Sequence, residues 1–317
     1  MFFGGQMFKK SKLILFLTAL LPVLAITVET IPVDEAKEQS LIEKKHRLSV
    51  CSLFKNEAMH LREWIEYHQM VGVDHFYLYD NGSKDRPRDV LTPYIKKGLV
   101  TLVNWPDRVV SRDSEQVDHW VLSTQLPAYE NAIKYYAIDN SDWLVFLDVD
   151  EFIVPVNAGS VNEVLENYRN FPGLELTCDY FDASNRILPK RELTIANVEL
   201  TQRPAQNIKK SVEKMIFKPV SNTSFSWPPY KCNFKDNQEA KRLSKSELRI
   251  NKYVNRTQGE LNFGKIKEKL RIDSRSLTDE ERTELLEIGY EIEDKEHVIR
   301  RFEPGLRKRM GMESNWN

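Results

Sequence analysis

The 317-residue chain has few cysteines and no surplus of either charge, and both features limit what it can be. Its 3 cysteines, Cys51, Cys178 and Cys232, are too few for a disulfide framework and lack the C-x-x-C or Cys/His spacing of a metal site. The 46 Lys and Arg residues nearly balance the 47 Asp and Glu residues. No basic excess favours a nucleic-acid backbone, so we expect no nucleic-acid partner.

Glycine-rich phosphate-binding motifs are also missing from the sequence. Neither G-x-G-x-x-G nor G-x-x-x-x-G-K-[ST] occurs, which argues against a dinucleotide-binding fold and a P-loop ATPase. Any phosphate that this protein binds must therefore be held by side chains or by a metal ion.

One long apolar run stands near the N-terminus. In KKSKLILFLTALLPVLAITV, residues 9–28, three lysines precede the run, and no small-x-small cleavage site follows it. We favour a signal anchor over a cleaved signal, with the N-terminus in the cytoplasm because the basic residues precede the run. The expected organisation is a cytoplasmic tail and anchor at 1–29, a linker at 30–46 and a folded domain at 47–317.

Strand and helix patterns alternate through the first half of this domain. LSVCSLF and HFYLYDN have the composition of buried strands, and apolar residues between them recur at helical spacing until Gly72. Strand, helix and strand at this spacing predict a parallel βαβ unit with a right-handed crossover. LVTLVNW and WLVFLDVDEF add further strands, so we expect an open α/β sheet with helices on both faces.

Polar residues follow three of these predicted strands. Ligands of open parallel sheets bind beyond the carboxyl ends of the strands, and the topology should bring all three clusters to one edge. The clusters contain Asn56 and Glu57, then Asp80 and Asn81, then Asp148, Asp150 and Glu151.

Asp148 and Asp150 form a D-x-D motif behind the most hydrophobic strand. On extended backbone their carboxylates would point the same way, with Val149 facing the core. Hard oxygen ligands suit Mn²⁺ or Mg²⁺, and such an ion normally bridges substrate phosphates, so a nucleoside diphosphate is the expected ligand. The alternative interpretation is purely structural: these acids would cap the next helix or form a salt-bridged turn.

FKNEAMHLREWIEYHQMVGVDHFYLYDNGS, WLVFLDVDEF and RFEPGLRKRMG resemble blocks of glycosyltransferase family 92. The resemblance implies a GT-A fold, which is a Rossmann-like open mixed sheet, and inverting transfer of galactose from UDP-galactose to a glycan acceptor. It also implies that Asp148 and Asp150 hold Mn²⁺ and, through it, the diphosphate. Asn56 and Glu57 would lie by the nucleotide, and Asp80 and Asn81 by the uridine or ribose.

Other roles stay open at this point. An inverting transfer needs a carboxylate to accept the proton of the acceptor hydroxyl, and Glu151, Asp179 and Asp182 are the candidates. Arg301 and Arg307, in a basic cluster near the C-terminus, form either a solvated face or a lid over the diphosphate.

Two segments depart from the family pattern. LRINKYVNRT carries Lys252 where the family has histidine, and an ammonium could replace that histidine only as a cation that faces phosphate. CDYFDASN carries Cys178 and Asp182 where the family has Trp and Gly, so acceptor preference does not transfer from relatives.

Two alternative functions follow from these features. One is a catalytically impaired, carbohydrate-binding relative of the transferases, and the other is a phosphatase of the haloacid-dehalogenase type, which also uses D-x-D. As a transferase, the protein is expected to be a single-pass type II membrane protein. Its domain would lie in the Golgi or endoplasmic reticulum lumen of a eukaryote, or at the inner membrane of a bacterium.

Overall fold

The computed structural model describes residues 44–106, 120–182, 192–196, 201–202, 214–226, 231–254 and 298–312. The predicted anchor and most of the predicted linker lie outside these residues. Within the described part of the chain, no helix has the length and apolar character needed to cross a membrane.

A seven-stranded mixed sheet forms the centre of the described fold. Strands β1 to β4 are parallel neighbours in the order β4-β1-β2-β3, and β9 pairs antiparallel with both β4 and β6. The full order is β12-β6-β9-β4-β1-β2-β3. The strands are β1 (His46–Phe54), β2 (His75–Asp80), β3 (Val100–Asn104), β4 (Ser141–Phe146), β6 (Gly173–Leu176), β9 (Lys214–Phe217) and β12 (Lys241–Arg242).

The chain enters a second, four-stranded sheet after β4 ends. It has the order β5-β13-β7-β8, with β13 antiparallel to β5 and parallel to β7. Its strands are β5 (Glu151–Pro155), β7 (Cys178–Asp182), β8 (Thr201–Gln202) and β13 (Leu248–Val254). In a separate two-stranded sheet, β10 (Asn222–Ser226) pairs antiparallel with β11 (Lys231–Phe234). WLVFLDVDEF is therefore two strands in two sheets.

The described α-helices lie between and after these strands. They are α1 (Ala58–Met70), α2 (Pro87–Lys96), α3 (Leu126–Ala132), α4 (Val161–Glu166) and α5 (Glu303–Met310). Two π-helical turns, Val121–Gln125 and Ile133–Ala137, flank α3, and a short turn, Ile138–Asn140, completes that segment. Short 3₁₀ turns span Thr194–Ala196, Pro219–Ser221, Lys235–Asn237 and Val298–Phe302.

The large sheet is covered on both faces, as the alternation of its strands requires. One apolar cluster joins Val50 and Leu78 to Trp64 of α1, and the other joins Cys51 and Phe146 to residues of α3. The parallel β1-α1-β2 unit and the helices on both faces confirm the predicted open α/β architecture. Cys51 is a buried core residue, and all three cysteines are free thiols.

Candidate functional site

The acidic motif lies in the turn that connects the two sheets. The amide of Glu151 donates to the carbonyl of Asp148 at 3.0 Å, which closes the turn directly after β4. Val149 is buried as expected, but Asp148 and Asp150 converge through this turn and not through extended backbone. Carboxylate oxygens of Asp148, Asp150 and Glu151 all lie within 4.8 Å of one another.

The ammonium group of Lys252 contacts all three carboxylates. Its Nζ lies 2.6 Å from Asp148 Oδ2, 3.1 Å from Asp150 Oδ1 and 3.0 Å from Glu151 Oε1. Backbone pairing produces this meeting, because Lys252 lies opposite Glu151 in the antiparallel β13-β5 register. The amide of Tyr253 also donates to the carbonyl of Asp150 at 2.8 Å.

Behind this contact lies a fully buried ion pair. Lys214, the first residue of β9, places its Nζ 2.8 Å from Glu151 Oε2, and the two side chains are 1% and 2% exposed. Glu151 Oε2 also accepts the amide proton of Asp148 at 2.9 Å. Sequence reasoning missed Lys214, since a lysine beside an apolar run normally marks a solvated strand end and nothing local distinguishes this one.

These charges shift one another's proton affinities. Burial alone would raise the pKa of Asp148, but the ammonium groups of Lys214 and Lys252 lower it below its ordinary value. Burial would lower the pKa of Lys252, but Glu151, Asp148 and Asp150 raise it well above its ordinary value. Burial and the neighbouring Asp148 raise the pKa of Glu151 above its ordinary value, against the lowering effect of Lys214 and Lys252. The two lysines therefore favour the ionised form of Asp148, and Lys252 is a charged ammonium.

Helix α1 holds the acidic turn from the other side, at the free edge of β5. Trp64 Nε1 donates to the carbonyl of Glu151 at 2.8 Å, and the Tyr67 hydroxyl donates to the carbonyl of Ile153 at 2.9 Å. His68 Nε2 accepts from the Ile153 amide, so Nδ1 carries the proton and donates to the Trp64 carbonyl. One helical face thus satisfies the edge of the strand, and His68 is the packed residue that its helical position indicates.

The other predicted clusters reach the same edge of the large sheet. Phe54 pairs with Asp80, and Cys51 pairs with Phe146. Asn56, in the left-handed region at φ 59°, accepts the Lys84 amide proton, and Asp80 accepts the Ser83 amide proton, both at 2.8 Å.

Asn81 and Glu57 also make structural hydrogen bonds, near the end of β2 and at the start of α1. Asn81 is 3% exposed and donates to the Trp105 carbonyl, while the Glu57 carbonyl accepts from the first turn of α1. Asn56, Asp80 and Asn81 therefore shape the loops that border the edge.

The family model for glycosyltransferase family 92 matches residues 44–287. The chain belongs to glycosyltransferase family 92. This confirms the resemblance and leaves the dehalogenase-type phosphatase alternative without support.

Several plant members of family 92 are similar to part of this chain. A family 92 protein of Oryza sativa subsp. japonica is 32% identical over 156 residues, covering 48% of this chain and 24% of the relative. A galactan β-1,4-galactosyltransferase of Arabidopsis thaliana is 35% identical over 153 residues, covering 45% and 28%. The matched region thus spans about a quarter of the length of these relatives.

Solved structures give weaker similarities. S. aureus TarS in complex with UDP has a TM-score of 0.36 at 12% identity, covering 66% of this chain and 60% of that one. The galactosyltransferase LgtC has a TM-score of 0.28 at 13% identity, covering 54% and 58%. Similarities at this level support no conclusion about this family 92 chain.

The three base candidates of this family 92 protein occupy different surroundings. Both carboxylate oxygens of Glu151 face lysines inside the core. Asp179 pairs in register with Asn251, and its Oδ2 lies 3.9 Å from Arg249 Nη1, so it belongs to the face opposite Lys252. Asp182 pairs with Val254, two residues beyond Lys252 on the adjacent strand.

The C-terminal arginines bind protein groups. Arg301 donates to the carbonyls of Pro155, Val156 and Ala158, at the opposite end of β5 from Glu151. Glu151 and Pro155 are four residue steps apart along the strand, about 13 Å. Arg307 pairs with Glu303 at 2.7 Å and with Glu192. In this arrangement both arginines hold the C-terminal segment against the rest of the domain. To cover a bound diphosphate, they would first have to break these contacts.

The carboxylate oxygens around the acidic turn suit a bound cation. In this structure the cation at these oxygens is the ammonium group of Lys252. Three carboxylates are the ligand type that Mn²⁺ or Mg²⁺ prefers. The Lys252 ammonium already contacts one oxygen of each of these three carboxylates, and an ammonium has no lone pair with which to bind a metal ion. With Lys252 in place, the described residues do not fit a divalent metal ion. The cation of Lys252 faces carboxylates, where the sequence had predicted that it faces phosphate.

Proposed function

We propose that this protein is a hexosyltransferase that moves a sugar from a UDP-sugar to a glycan acceptor with inversion. Membership of family 92 supports this proposal, and the similarity to galactan β-1,4-galactosyltransferases makes UDP-galactose the first donor to test. The observation that carries the proposal is the acidic turn at the carboxyl edge of β4, bordered by the loops that follow β1 and β2.

A GT-A fold is part of the same proposal. Parallel strands with β1 at their centre and helices on both faces form the nucleotide-binding half of such a fold. The uridine would rest near Asn56, Glu57, Asp80 and Asn81, and the diphosphate near Asp148 and Lys252. The acceptor would bind beside the second sheet, where β7 and β13 end.

The acceptor hydroxyl must lose its proton as the bond to the diphosphate breaks. Glu151 is poorly placed for this task because both of its oxygens are engaged and 2% of its side chain is exposed. Asp179 faces Arg249 on the other side of the strand. We therefore propose Asp182 as the base, since its register position lies on the face that also carries Lys252.

Release of UDP from a panel of nucleotide sugars tests the proposal. We expect the full chain to release UDP with one donor, most rapidly when the glycan acceptor is present. Lys252→Ala, assayed in EDTA, should lower this rate at least about 100-fold, because the substitution removes the cation placed near the diphosphate. Asp139→Asn, at an exposed position on the chain, should leave the rate unchanged.

Failure to release UDP from any donor, together with failure to bind UDP in calorimetry, would contradict the transferase proposal. That result would favour the catalytically impaired, carbohydrate-binding alternative. Binding of UDP without turnover would leave the donor site intact and direct the search to the acceptor.

The location of the protein is a separate proposal. The apolar run at 13–28 is proposed to anchor the domain to a membrane as a type II protein. Fusion of residues 1–46 to a reporter, followed by alkaline extraction of membranes, tests it; release of the reporter into the soluble fraction would contradict the anchor.

A further inference from the structure

The contact between Lys252 and the acidic turn is built into the strand pairing. Lys252 lies on β13, the second strand of its sheet, between β5 and β7. Its position opposite Glu151 is set by five consecutive residue pairs of the β13-β5 ladder. Its side chain is 17% exposed, so little of it is free to leave the cluster. The strand pairing therefore places the Lys252 side chain at the acidic turn.

The hydrogen-bonding capacity of lysine matches the cluster. An ammonium has three N–H donors and no lone pair, and Lys252 has one carboxylate at hydrogen-bond or ion-pair distance for each donor. A metal ion held by Asp148, Asp150 and Glu151 would need the same three carboxylates that the ammonium contacts. Lys252 and such an ion compete for one place.

The balance of charges at the cluster also argues against a bound metal ion. Three carboxylates meet at this site, and two ammonium groups, those of Lys252 and Lys214, lie within 3.1 Å of them. Much of the negative charge that would attract a divalent ion is already neutralised by the chain itself. The side chains of Asp148 and Asp150 are 32% and 22% exposed, so the outer side of the cluster is open to a ligand.

We propose that the Lys252 ammonium is the resident cation of this site and that the protein binds its nucleoside diphosphate without a divalent metal ion. This inference rests on the proposed function. On binding, the ammonium exchanges its longest contact, to Asp150 at 3.1 Å, for a phosphate oxygen. Lys252 then faces the charge that develops on the departing diphosphate.

Mn²⁺ titration followed by electron paramagnetic resonance tests the site without any turnover. We expect the wild-type chain to leave the signal of free Mn²⁺ unchanged. Lys252→His and Lys252→Ala should each take up about one Mn²⁺, because removal of the ammonium opens a position among three carboxylates. Lys97→Ala, at an exposed position outside the site, is the matched control and should behave as wild type.

UDP binding by calorimetry supplies the second readout. The wild-type Kd should agree within about twofold in EDTA and in Mn²⁺, whereas Lys252→His should bind UDP at least about tenfold more weakly in EDTA than in Mn²⁺. Thermal unfolding by circular dichroism checks that each variant is folded. If Lys252→Ala does not fold, the wild-type and Lys252→His titrations still decide.

Two results would overturn the inference: uptake of Mn²⁺ by the wild-type chain with about one ion per molecule, or wild-type UDP binding that disappears in EDTA. Failure of the proposed function looks different, because UDP would then bind in neither condition. The Mn²⁺ titration would still report whether Lys252 occupies the cation position.

Discussion

Glu151 is predicted to stabilise the fold and not to act as the catalytic base. The test is Glu151→Gln, which keeps the size of the side chain and removes its charge. The substitution breaks the 2.8 Å ion pair with Lys214, whose side chain is 1% exposed, and weakens the contact with Lys252. A buried ammonium then loses a carboxylate partner that water cannot replace.

The expected cost follows from the burial of both partners. Removing one member of a buried ion pair typically destabilises a protein by about 3–5 kcal/mol, roughly two to four powers of ten in the unfolding equilibrium constant. Replacing both members by neutral side chains of similar volume is often close to neutral. Lys214→Met in the Glu151→Gln background should therefore recover a large part of the loss.

Urea unfolding of the wild type, the two single variants and the double variant measures these values. Glu130→Gln, at an exposed position on α3, should stay within about 0.5 kcal/mol of wild type. A Glu151→Gln variant as stable as wild type but unable to transfer sugar would refute the reasoning and identify Glu151 as the base.

Three further outcomes are expected. Arg301→Ala should lower the free energy of unfolding by about 2–3 kcal/mol through loss of its bonds to the carbonyls at the end of β5, with UDP affinity unchanged relative to Arg88→Ala; weaker UDP binding would place Arg301 at the diphosphate instead. Burial lowers the pKa of His68 to about 3, so its contribution to stability is present above pH 6.5 and falls by about 1.4 kcal/mol per pH unit from pH 6.5 towards 3. Urea unfolding across this range should show a smaller pH dependence for His68→Gln, and an NMR titration of His68 near pH 6.5 would contradict the assignment. Gly72→Ala should lower the free energy of unfolding by about 1–3 kcal/mol because φ is +106° and the added Cβ would lie 2.8 Å from Asn162 Nδ2; an unchanged melting temperature would be incompatible with that backbone conformation.

Local patterns predicted the first half of the fold well. The helical spacing that ends at Gly72 and the apolar strands on either side of it are properties of short segments, and the β1-α1-β2 unit has the expected parallel pairing. The convergence of Asp80 and Asp148 on one sheet edge also followed, because parallel strands that share a sheet must end on the same side.

The acidic turn shows where local patterns stop. WLVFLDVDEF has uniform hydrophobicity, and hydrophobicity does not distinguish one long strand from two strands in different sheets. The chain leaves the first sheet at Phe146 and enters the second at Glu151, so the three acids occupy a turn. Pairing of β5 with β13, almost one hundred residues further along, decides this path.

By itself, then, the sequence determined the family, the βαβ unit, the acidic motif and the departure at Lys252. The tertiary structure alone decided what Lys252 and Lys214 do. Both lysines reach Glu151 through strand pairings between segments at least sixty residues apart. Such pairings depend on the packing of the whole sheet. The residues next to each lysine in the sequence therefore do not reveal which strand it will pair with.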